Sequence, residues 1–436
     1  MKKIIAILLA LAVVSMAFAQ TVSMNNVLET RPVIVVNGGA AAWTWAADRN
    51  DGAFLKDTIN AEAETADGRG KAKANVSSTL RVVDAAGAGL LNILPRIGIT
   101  SPEAQAAASY KATDFLAFGF GSINSYMLQY AVGGYGNTVQ DMPGPNGGRE
   151  NASALLPGWT AWNSSNFCNG AFVTFLGDGV GLDGFKASLI FDNDWLNKNT
   201  FSFAVQVGYD AGIFGATAKY EGTFGGQGAG NTAYTAALTV PYGWLTDKAN
   251  YDHDFTVGVK YRGLKDLAVG TTLGAAFDVR ARKVNTTYTA FGVGLQADFD
   301  FRNDITDRLW AKVGFGQDEN GDSVKVLPFA VGTELTYAIG GEHDAKFIFE
   351  LAYGQSALAR KLKEADGKRT AASTNDIYIY PSFEFGFGKS KFLFGVKNDV
   401  AGHLEYVDKT DNDWAYTKLF GDQVRVEIPI KWTYTF

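Results

Sequence analysis

The chain has 436 residues, of which 13% are aromatic and only 19% are charged, and it contains 50 glycines. This length fits two or three globular domains or one large β-barrel, and the charge content is low for a soluble domain. The formal net charge of −6 provides no basic surface for a polyanion, so we expect no nucleic-acid partner.

The N-terminus has the three parts of a secretory signal peptide. Lys2 and Lys3 are followed by the apolar run IIAILLALAVVSM and then by AFA, which ends at Ala19. The run is shorter than the roughly 20 residues that a spanning helix needs, so a cleaved signal peptide over 1–19 is favoured over a membrane anchor. The mature chain, 20–436, is predicted to form a single domain. Its one cysteine, Cys168, excludes an internal disulfide.

The second half of the chain alternates apolar and polar residues with a period of two, which is typical of β-strands. In FGVGLQADFDF, apolar residues from Phe291 to Phe301 occupy every second position, and Gly, Gln and Asp lie between them. The pattern recurs in the C-terminal stretch QVRVEIPIKWTYTF. It also predicts strands in the first part of the chain, near 184–192, 201–210, 213–221 and 233–242.

The length and the two faces of these strands favour a membrane barrel. A soluble sandwich or open sheet also alternates, but its strands are usually shorter than the about 9–14 residues seen here. Aromatic residues near the strand ends and a polar second face are typical of outer-membrane barrels. We therefore predict an all-β fold, a transmembrane antiparallel β-barrel of about 16 strands within a range of about 14–18.

Connection lengths support the barrel. The short segments 263–266, 302–306 and 388–390 alternate with long polar segments at about 355–376 and 400–422. Barrels of this class have short periplasmic turns and long outer loops, and we predict the same arrangement here.

Two stretches do not read as strands. SPEAQAAASY, residues 101–110, has a serine at an N-cap position and a proline at the first helical position, so we predict a short helix. Residues of about 136–170 form a long polar segment, which either folds into the lumen or lies at the surface.

Three prolines interrupt predicted strands. At Pro381 the apolar phase changes from Tyr378 to Phe383, which predicts a β-bulge. Pro328 and Pro429 have no comparable explanation in the sequence.

The reactive side chains do not form a constellation. His253, His343 and His403 fall in predicted turns or loops, and Cys168 belongs to no metal or redox motif. DENGD at 318–322 resembles part of a calcium loop but lacks the distal glutamate, so an outer hairpin turn is favoured. We predict no catalytic, cofactor-binding or metal-binding residue and no enzyme activity.

The polar face of the predicted strands carries charges of both signs. Burying unpaired ions costs several kcal/mol each, so this face should line water, and about 16 strands enclose a lumen too wide to be filled by side chains. Acidic and basic rows that face each other across the lumen would order its water; alternatively, the charges pair and brace the wall. The predicted pore-lining residues are Lys260, Arg262, Asp278, Arg280, Asp298, Asp300, Lys312, Glu334, Lys346, Glu350, Glu384, Arg425 and Glu427, with Lys397 and Lys431 in the same phase.

The signal peptide, the alternating strands and the terminal Phe436 together resemble Gram-negative-type outer-membrane β-barrel proteins of porin size. The leader is also similar to those of spirochaete outer-membrane proteins. The resemblance implies a location in the outer-membrane bilayer and a C-terminal signal, Trp432, Tyr434 and Phe436, that the barrel-assembly machinery reads. It also implies that a homotrimer is common at this size. Fatty-acid transporter barrels are less similar, because we find no N-terminal plug pattern.

The leading functional hypothesis is a porin-like channel for passive diffusion of small hydrophilic solutes, which needs no cofactor. The alternative is a surface-exposed barrel that acts as an adhesin or structural protein through its outer loops.

Overall fold

A computed structural model gives the fold of the chain. It describes residues 19–30, 33–37, 40–44, 54–83, 96–99, 103–123, 167–192, 200–225, 251–264, 266, 269–283, 287–301, 304–317, 329–355, 362–363, 369–408, 414–416 and 423–435. The predicted signal peptide, apart from Ala19, the predicted strand at 233–242, DENGD, Pro328 and Phe436 lie outside these ranges.

The described chain is almost entirely β-structure, with a 3-10 helix at Gly177–Val180. The strands of the first half are β1 (Ala19–Thr30), β2 (Val33–Asn37), β3 (Ala40–Thr44), β4 (Phe54–Glu64), β5 (Gly70–Val83), β6 (Arg96–Ile99), β7 (Glu103–Thr113), β8 (Leu116–Ile123), β9 (Phe167–Leu176), β10 (Phe185–Asp192), β11 (Thr200–Asp210) and β12 (Phe214–Gly225). Those of the second half are β13 (Tyr251–Leu264), β14 (Gly270–Lys283), β15 (Thr287–Asp300), β16 (Ile305–Gly316), β17 (Phe329–Gly340), β18 (Ala345–Gln355), β19 (Leu362–Lys363), β20 (Arg369–Phe387), β21 (Ser390–Gly395), β22 (Lys397–Asp408), β23 (Trp414–Tyr416), β24 (Gln423–Glu427) and β25 (Ile430–Thr435).

Several consecutive elements are parts of one strand, because they keep one register against their neighbours. Glu427 of β24 lies opposite Val33 of β2, and Ile430 of β25 lies opposite Thr30 of β1, without a shift between them. Counted as continuous strands, the described sheet has 18 antiparallel strands. The predicted number of 16 is therefore too low, although 18 lies at the upper end of the predicted range.

The pairing of the strands runs around the sheet and returns to its start. β1 pairs with β4 on one edge and with β25 on the other, where Leu28 lies opposite Trp432. β25 in turn pairs with β21, where Phe392 lies opposite Trp432. The first and last strands are thus neighbours, and the predicted all-β antiparallel barrel is confirmed.

Short connections gather at one end of the strands. They include 65–69, 114–115, 211–213, 341–344 and 388–389. Asp344 and Gly388 have φ values of 48° and 58°, as tight turns require. At the other end, the connections between strands include 124–166 and 226–250, which lie outside the described residues. The predicted alternation of short and long connections is confirmed.

The predicted helix at 101–110 is wrong, because β7 covers Glu103–Thr113. β7 pairs with β5 on one side and with β8 on the other, with Ala106 opposite Ala74 and Tyr110 opposite Phe118. Hydrogen bonds to two neighbouring strands outweigh a favourable N-cap, which is a weak local preference.

The predicted bulge at Pro381 is also wrong. The register of β20 against β18 runs without a shift from Tyr378, opposite Ala352, to Glu384, opposite Lys346. Tyr378 is 2% exposed, whereas Phe383 is 36% exposed. The two aromatic residues lie on opposite faces of one regular strand, so the change of apolar phase reflects a tyrosine that faces inward.

Pro429 occupies the break between β24 and β25, where its missing N–H interrupts the assigned strand. Its carbonyl still accepts a hydrogen bond of 3.1 Å from the Gly395 N–H.

Three predicted loops are shorter than expected. β20 begins at Arg369 and β22 extends to Asp408, while Leu362 and Lys363 of β19 pair with the start of β20. β9 begins at Phe167, within the long segment predicted at 136–170, and the rest of that segment lies outside the described residues.

The two faces of the strands differ as the alternation predicts. On β15 and β16, Leu295 is 57% and Leu309 is 45% exposed on the outer face, whereas Lys312 on the other face is 3% exposed. Large apolar side chains that are exposed on the outer face include Val205, Val207, Tyr209, Phe255, Tyr261, Leu273, Phe277, Phe315, Val331, Tyr337 and Leu351. A continuous apolar outer surface of this kind suits contact with lipid.

Candidate functional site

A row of charged residues crosses the inner face of four neighbouring strands. Asp298 of β15 lies opposite Arg308 of β16, which lies opposite Glu334 of β17, which lies opposite Glu350 of β18. Residues that are directly opposite in antiparallel strands project to the same face. The structure therefore places Asp298, Glu334 and Glu350 side by side on one face of the sheet.

Asp298 contacts two neighbouring side chains. It accepts a hydrogen bond of 2.7 Å from Arg308 Nε, and Gln296 Nε2 lies 3.0 Å from both of its oxygens. The side chains of Arg308 and Asp298 are 30% and 29% exposed. The two side chains are thus neither fully buried nor fully exposed, which fits an ion pair on a surface in contact with water.

A cavity of about 360 Å³ lies against the same row. Its lining includes Thr272, Asp298, Asp300, Arg308 and Glu334. Asp300 is exposed at the short-turn end of β15. Charged groups of both signs therefore border open space rather than a packed core.

The row continues onto the last strands. Glu350 lies opposite Tyr380 of β20, and Lys397 of β22 lies opposite Glu427 of β24. The Lys397 Nζ is 5.5 Å from the centre of the Tyr378 ring. Acidic and basic positions alternate along this part of the wall.

Two further ion pairs brace the short-turn end of the lumen. Glu384 Oε1 lies 2.9 Å from Lys346 Nζ and 2.8 Å from Lys391 Nζ. At these three positions, as at Asp298, the charges pair within the wall, which is the alternative that the sequence left open.

Arg262 forms a two-pronged contact with Asp210 across β11 and β13. Arg262 Nη1 and Nη2 donate to the two carboxylate oxygens of Asp210 at 2.9 and 3.2 Å, and Nη1 also donates to the Gly212 carbonyl at 2.8 Å. This geometry fixes the turn at 211–213 against the neighbouring strand.

Lys312 lies on the inner face of β16, as predicted, but it is not wetted. Lys312 and Trp310 are 3% and 4% exposed, and the Lys312 Nζ is 5.7 Å from the centre of the Trp310 ring. Lys312 is therefore buried, and its pore-lining role stays a prediction.

The remaining predicted lining residues differ in how far they can be placed. Lys260 lies on the inner face of β13, opposite Gly274. Asp278 and Arg280 lie on β14 opposite Gly292 and Ala290, and Arg425 and Glu427 lie on β24; the side chains of these four are outside the described part. Lys431 lies on the inner face of β25, opposite Leu393.

The wall formed by β8, β9 and β10 has a different character. Ala117, Phe172 and Ile190 on its inner face are 0%, 3% and 0% exposed. Thr174 and Ser188 on the same face are also buried, with their hydroxyl oxygens 2.7 Å apart, and Lys186 adds a positive charge. This part of the inner face is therefore mixed in character, and the charged rows that face each other across the lumen stay a prediction.

The C-terminal aromatics lie on the outer face. Trp432 stacks against Phe392 with ring centres 6.4 Å apart, and its Nε1 donates to Ser390 Oγ at 3.1 Å. Tyr434 lies next to Trp432 in the same aromatic patch. Phe436, the last residue of the predicted assembly signal, lies outside the described residues.

Sequence reasoning missed five residues that complete these contacts: Asp210, Gln296, Arg308, Trp310 and Lys391. Arg308 and Trp310 were within reach, since they share the phase of Lys312 along β16. Asp210 ends β11 and its partner Arg262 lies 52 residues later, so no local pattern points to it. Lys391 lies in β21, across the turn at 388–389 from its partner Glu384.

Two histidines lie in strands rather than in loops. His253 is part of β13, where its Nδ1 lies 2.8 Å from the Tyr220 hydroxyl, and His403 is part of β22. Only His343 lies in a turn, at 341–344.

The described residues contain neither a metal-binding group nor a membrane-spanning helix. Within the described ranges, no three His, Cys, Asp or Glu side chains are grouped so that they could hold a metal ion. Nor does the described chain contain a helix whose length and hydropathy would suit a membrane crossing.

Comparison with solved structures places the fold among outer-membrane porins. OccAB2 of Acinetobacter baumannii is 10% identical, with 95% of this chain and 98% of that chain aligned at a TM-score of 0.52. OpdL of Pseudomonas aeruginosa is 7% identical, with 96% and 98% aligned at a TM-score of 0.52. No family model and no curated protein matches the chain at the level of sequence. At these identities the likeness shows the fold alone, which is that of a porin-like outer-membrane β-barrel.

Proposed function

We propose that the protein is an outer-membrane channel through which small hydrophilic solutes diffuse passively. The observation that carries this proposal is the Asp298–Arg308 pair, which is about 30% exposed and borders a cavity of about 360 Å³. Ions cost too much to bury for such a face to belong to a dry core. A wetted, charged inner face and an apolar outer face are the two surfaces that a water-filled pore in a bilayer needs.

Selectivity in such a channel arises from the shape and charge of the lumen wall. The charged row on β15–β18 lies far around the sheet from the inner face of β8–β10, where Thr174 and Ser188 are buried. A solute would thus pass a wall that carries charges of both signs, and small polar molecules would be favoured over strongly charged ones of either sign.

The proposal includes location and assembly. The chain is exported by its N-terminal signal, resides in the outer-membrane bilayer and is inserted by the barrel-assembly machinery, which reads Trp432, Tyr434 and Phe436. The stacking of Trp432 on Phe392 at the outer face supports an interfacial position for this end. Trimer formation is a further part of the proposal, for which size is the only support. The adhesin alternative depends on long connections outside the described residues, and no contact within the described part favours it.

Liposome swelling tests the proposed diffusion. The mature chain from Gln20 would be refolded and reconstituted into liposomes, which are then transferred to isotonic solutions of uncharged sugars of increasing size. We expect rapid swelling with small sugars and a size cut-off with large ones. Protein-containing liposomes that swell no faster than empty ones, although the protein is inserted, would contradict the proposal.

A further inference from the structure

A groove of about 500 Å³ lies on the outer face of β14, β15 and β16, towards their short-turn end. Half-buried alanines form its floor: Ala275, Ala297 and Ala311. Exposed leucines border it: Leu273, Leu295 and Leu309, which are 42%, 57% and 45% exposed. We call this depression the alanine groove.

The register of the three strands explains why the wall is hollow here. Ala297 lies between Leu273 and Leu309 in one row of opposite residues. In the next row, Leu295 lies between Ala275 and Ala311. The three alanines are therefore diagonal neighbours on one face, so their small side chains leave a continuous depression between the leucines.

A carboxylate lies at the edge of the alanine groove that is nearest to the short turns. Asp307 is two residues before Leu309 on β16, so the two side chains project to the same outer face. The Asp307 carboxylate accepts a hydrogen bond of 2.6 Å from Thr333 Oγ1. Among the described residues, no lysine or arginine side chain forms an ion pair with it. An ionised carboxylate has about four acceptor sites, so it retains the capacity to bind a cationic donor.

The position of Asp307 suits contact with a lipid headgroup. Charged side chains on the lipid face of a barrel are costly near the middle of the bilayer and are tolerated near its surfaces. Asp307 lies two residues after the start of β16, which is the headgroup level in the proposed orientation. A cationic headgroup would be attracted to its carboxylate, while an anionic headgroup would be repelled. The acyl chains of the same lipid would then lie against the alanine groove.

We propose that Asp307 and the alanine groove bind a phospholipid whose headgroup carries a primary ammonium group, in the leaflet at the short-turn end. A primary ammonium donates charge-assisted hydrogen bonds to a carboxylate, whereas a quaternary ammonium has no N–H to donate. The inference depends on the proposed location in a bilayer, but it does not depend on conduction, because the site lies outside the lumen.

Native mass spectrometry tests the lipid site. The mature chain refolded in detergent is incubated with equal amounts of phosphatidylethanolamine and phosphatidylcholine, which carry the same acyl chains and differ in the three methyl groups on nitrogen. We expect the protein to retain about threefold more phosphatidylethanolamine, as the contribution of an exposed charge pair implies. Equal retention of the two lipids would overturn the proposal.

Two variants and one control make the result specific. Asp307→Asn keeps the size of the side chain and should abolish the preference. Ala297→Leu fills the floor of the groove and should lower the retention of both lipids. Glu342→Gln is the control, because it removes an exposed carboxylate from the turn at 341–344, and the preference should persist. A preference that survives Asp307→Asn, or unchanged retention with Ala297→Leu, would overturn the proposal.

The same spectra report on a different occupant of the groove. A dimer without bound lipid that is lost with Ala297→Leu would assign the groove to a second copy of the chain and refute the lipid site. A protein that conducts ions but shows no lipid preference retains the proposed channel and refutes the lipid site. A protein that prefers phosphatidylethanolamine through Asp307 but passes no solute retains the lipid site and refutes the channel.

Discussion

Replacing Asp298 by asparagine should shift the ion selectivity of the lumen towards anions. The substitution removes one negative charge from the wall and leaves the Arg308 guanidinium without the carboxylate that lies 2.7 Å from its Nε. The amide keeps the size of the side chain and can still contact Gln296, so the barrel should still fold.

The size of the shift follows from screened electrostatics. A permeating ion about 8 Å from a unit charge in water interacts with it by about 0.5 kcal/mol, which screening at about 0.1 M salt reduces to about 0.2 kcal/mol. Cations lose this attraction and anions lose the matching repulsion, so the cation-to-anion permeability ratio should fall about twofold. At about 1 M salt, where the Debye length is about 3 Å, the difference should almost vanish.

The assay is the reversal potential in a planar bilayer under a salt gradient, at low and at high ionic strength. Asp307→Asn is the matched control, because Asp307 lies next to Arg308 on β16 but faces outward, where its carboxylate accepts a hydrogen bond of 2.6 Å from Thr333 Oγ1. Asp307→Asn should leave the reversal potential unchanged. No shift with Asp298→Asn, or the same shift with both variants, would refute the assignment of the inner face.

Three further changes test the packing and anchoring of the barrel. Gly332→Ala should lower the refolding yield, because the added Cβ would lie 2.3 Å from the Trp310 ring. Gly386→Ala is the control and should leave the yield unchanged, because the nearest atom to its Cβ is 3.4 Å away. Equal yields of the two variants would contradict the packing of Trp310. Arg262→Met should lower the unfolding free energy, measured by urea denaturation, by about 1–2 kcal/mol, because the two-pronged contact with Asp210 is lost. A further loss of unfolding free energy on adding Asp210→Ala would show that the two residues do not act as a pair. Trp432→Ala should slow insertion into bilayers, measured by protection from trypsin, because it removes the stacking on Phe392; an unchanged rate would argue against an interfacial role for Trp432.

The fold could be predicted because apolar and polar residues alternate along each barrel strand, so the sequence shows which residues face outward and which face inward. On β15 the alternation from Phe291 to Asp300 identifies the strand, its phase and its outer face without reference to any other part of the chain. The C-terminal strand is equally clear, apart from Pro429. The strand number could not be predicted as well, because β7 is rich in alanine, which has no strong preference between the two faces.

The lumen could be predicted only in part. Phase alone places Asp298, Glu334 and Lys312 on the inner face, but it does not show which of them is wet. Tyr378 led to the wrong prediction of a bulge at Pro381, because an aromatic residue in a barrel strand usually indicates the lipid face. Contacts between strands that are distant in sequence, such as Arg262 with Asp210, depend on register and turn geometry, and no local pattern encodes them.

Single-channel recording tests the central claim, a water-filled lumen, most directly. The mature chain from Gln20 would be refolded in detergent and added to a planar lipid bilayer in salt solution. The account predicts stepwise, long-lived openings. A protein that is folded and inserted, as shown by trypsin protection, but passes no current would contradict it.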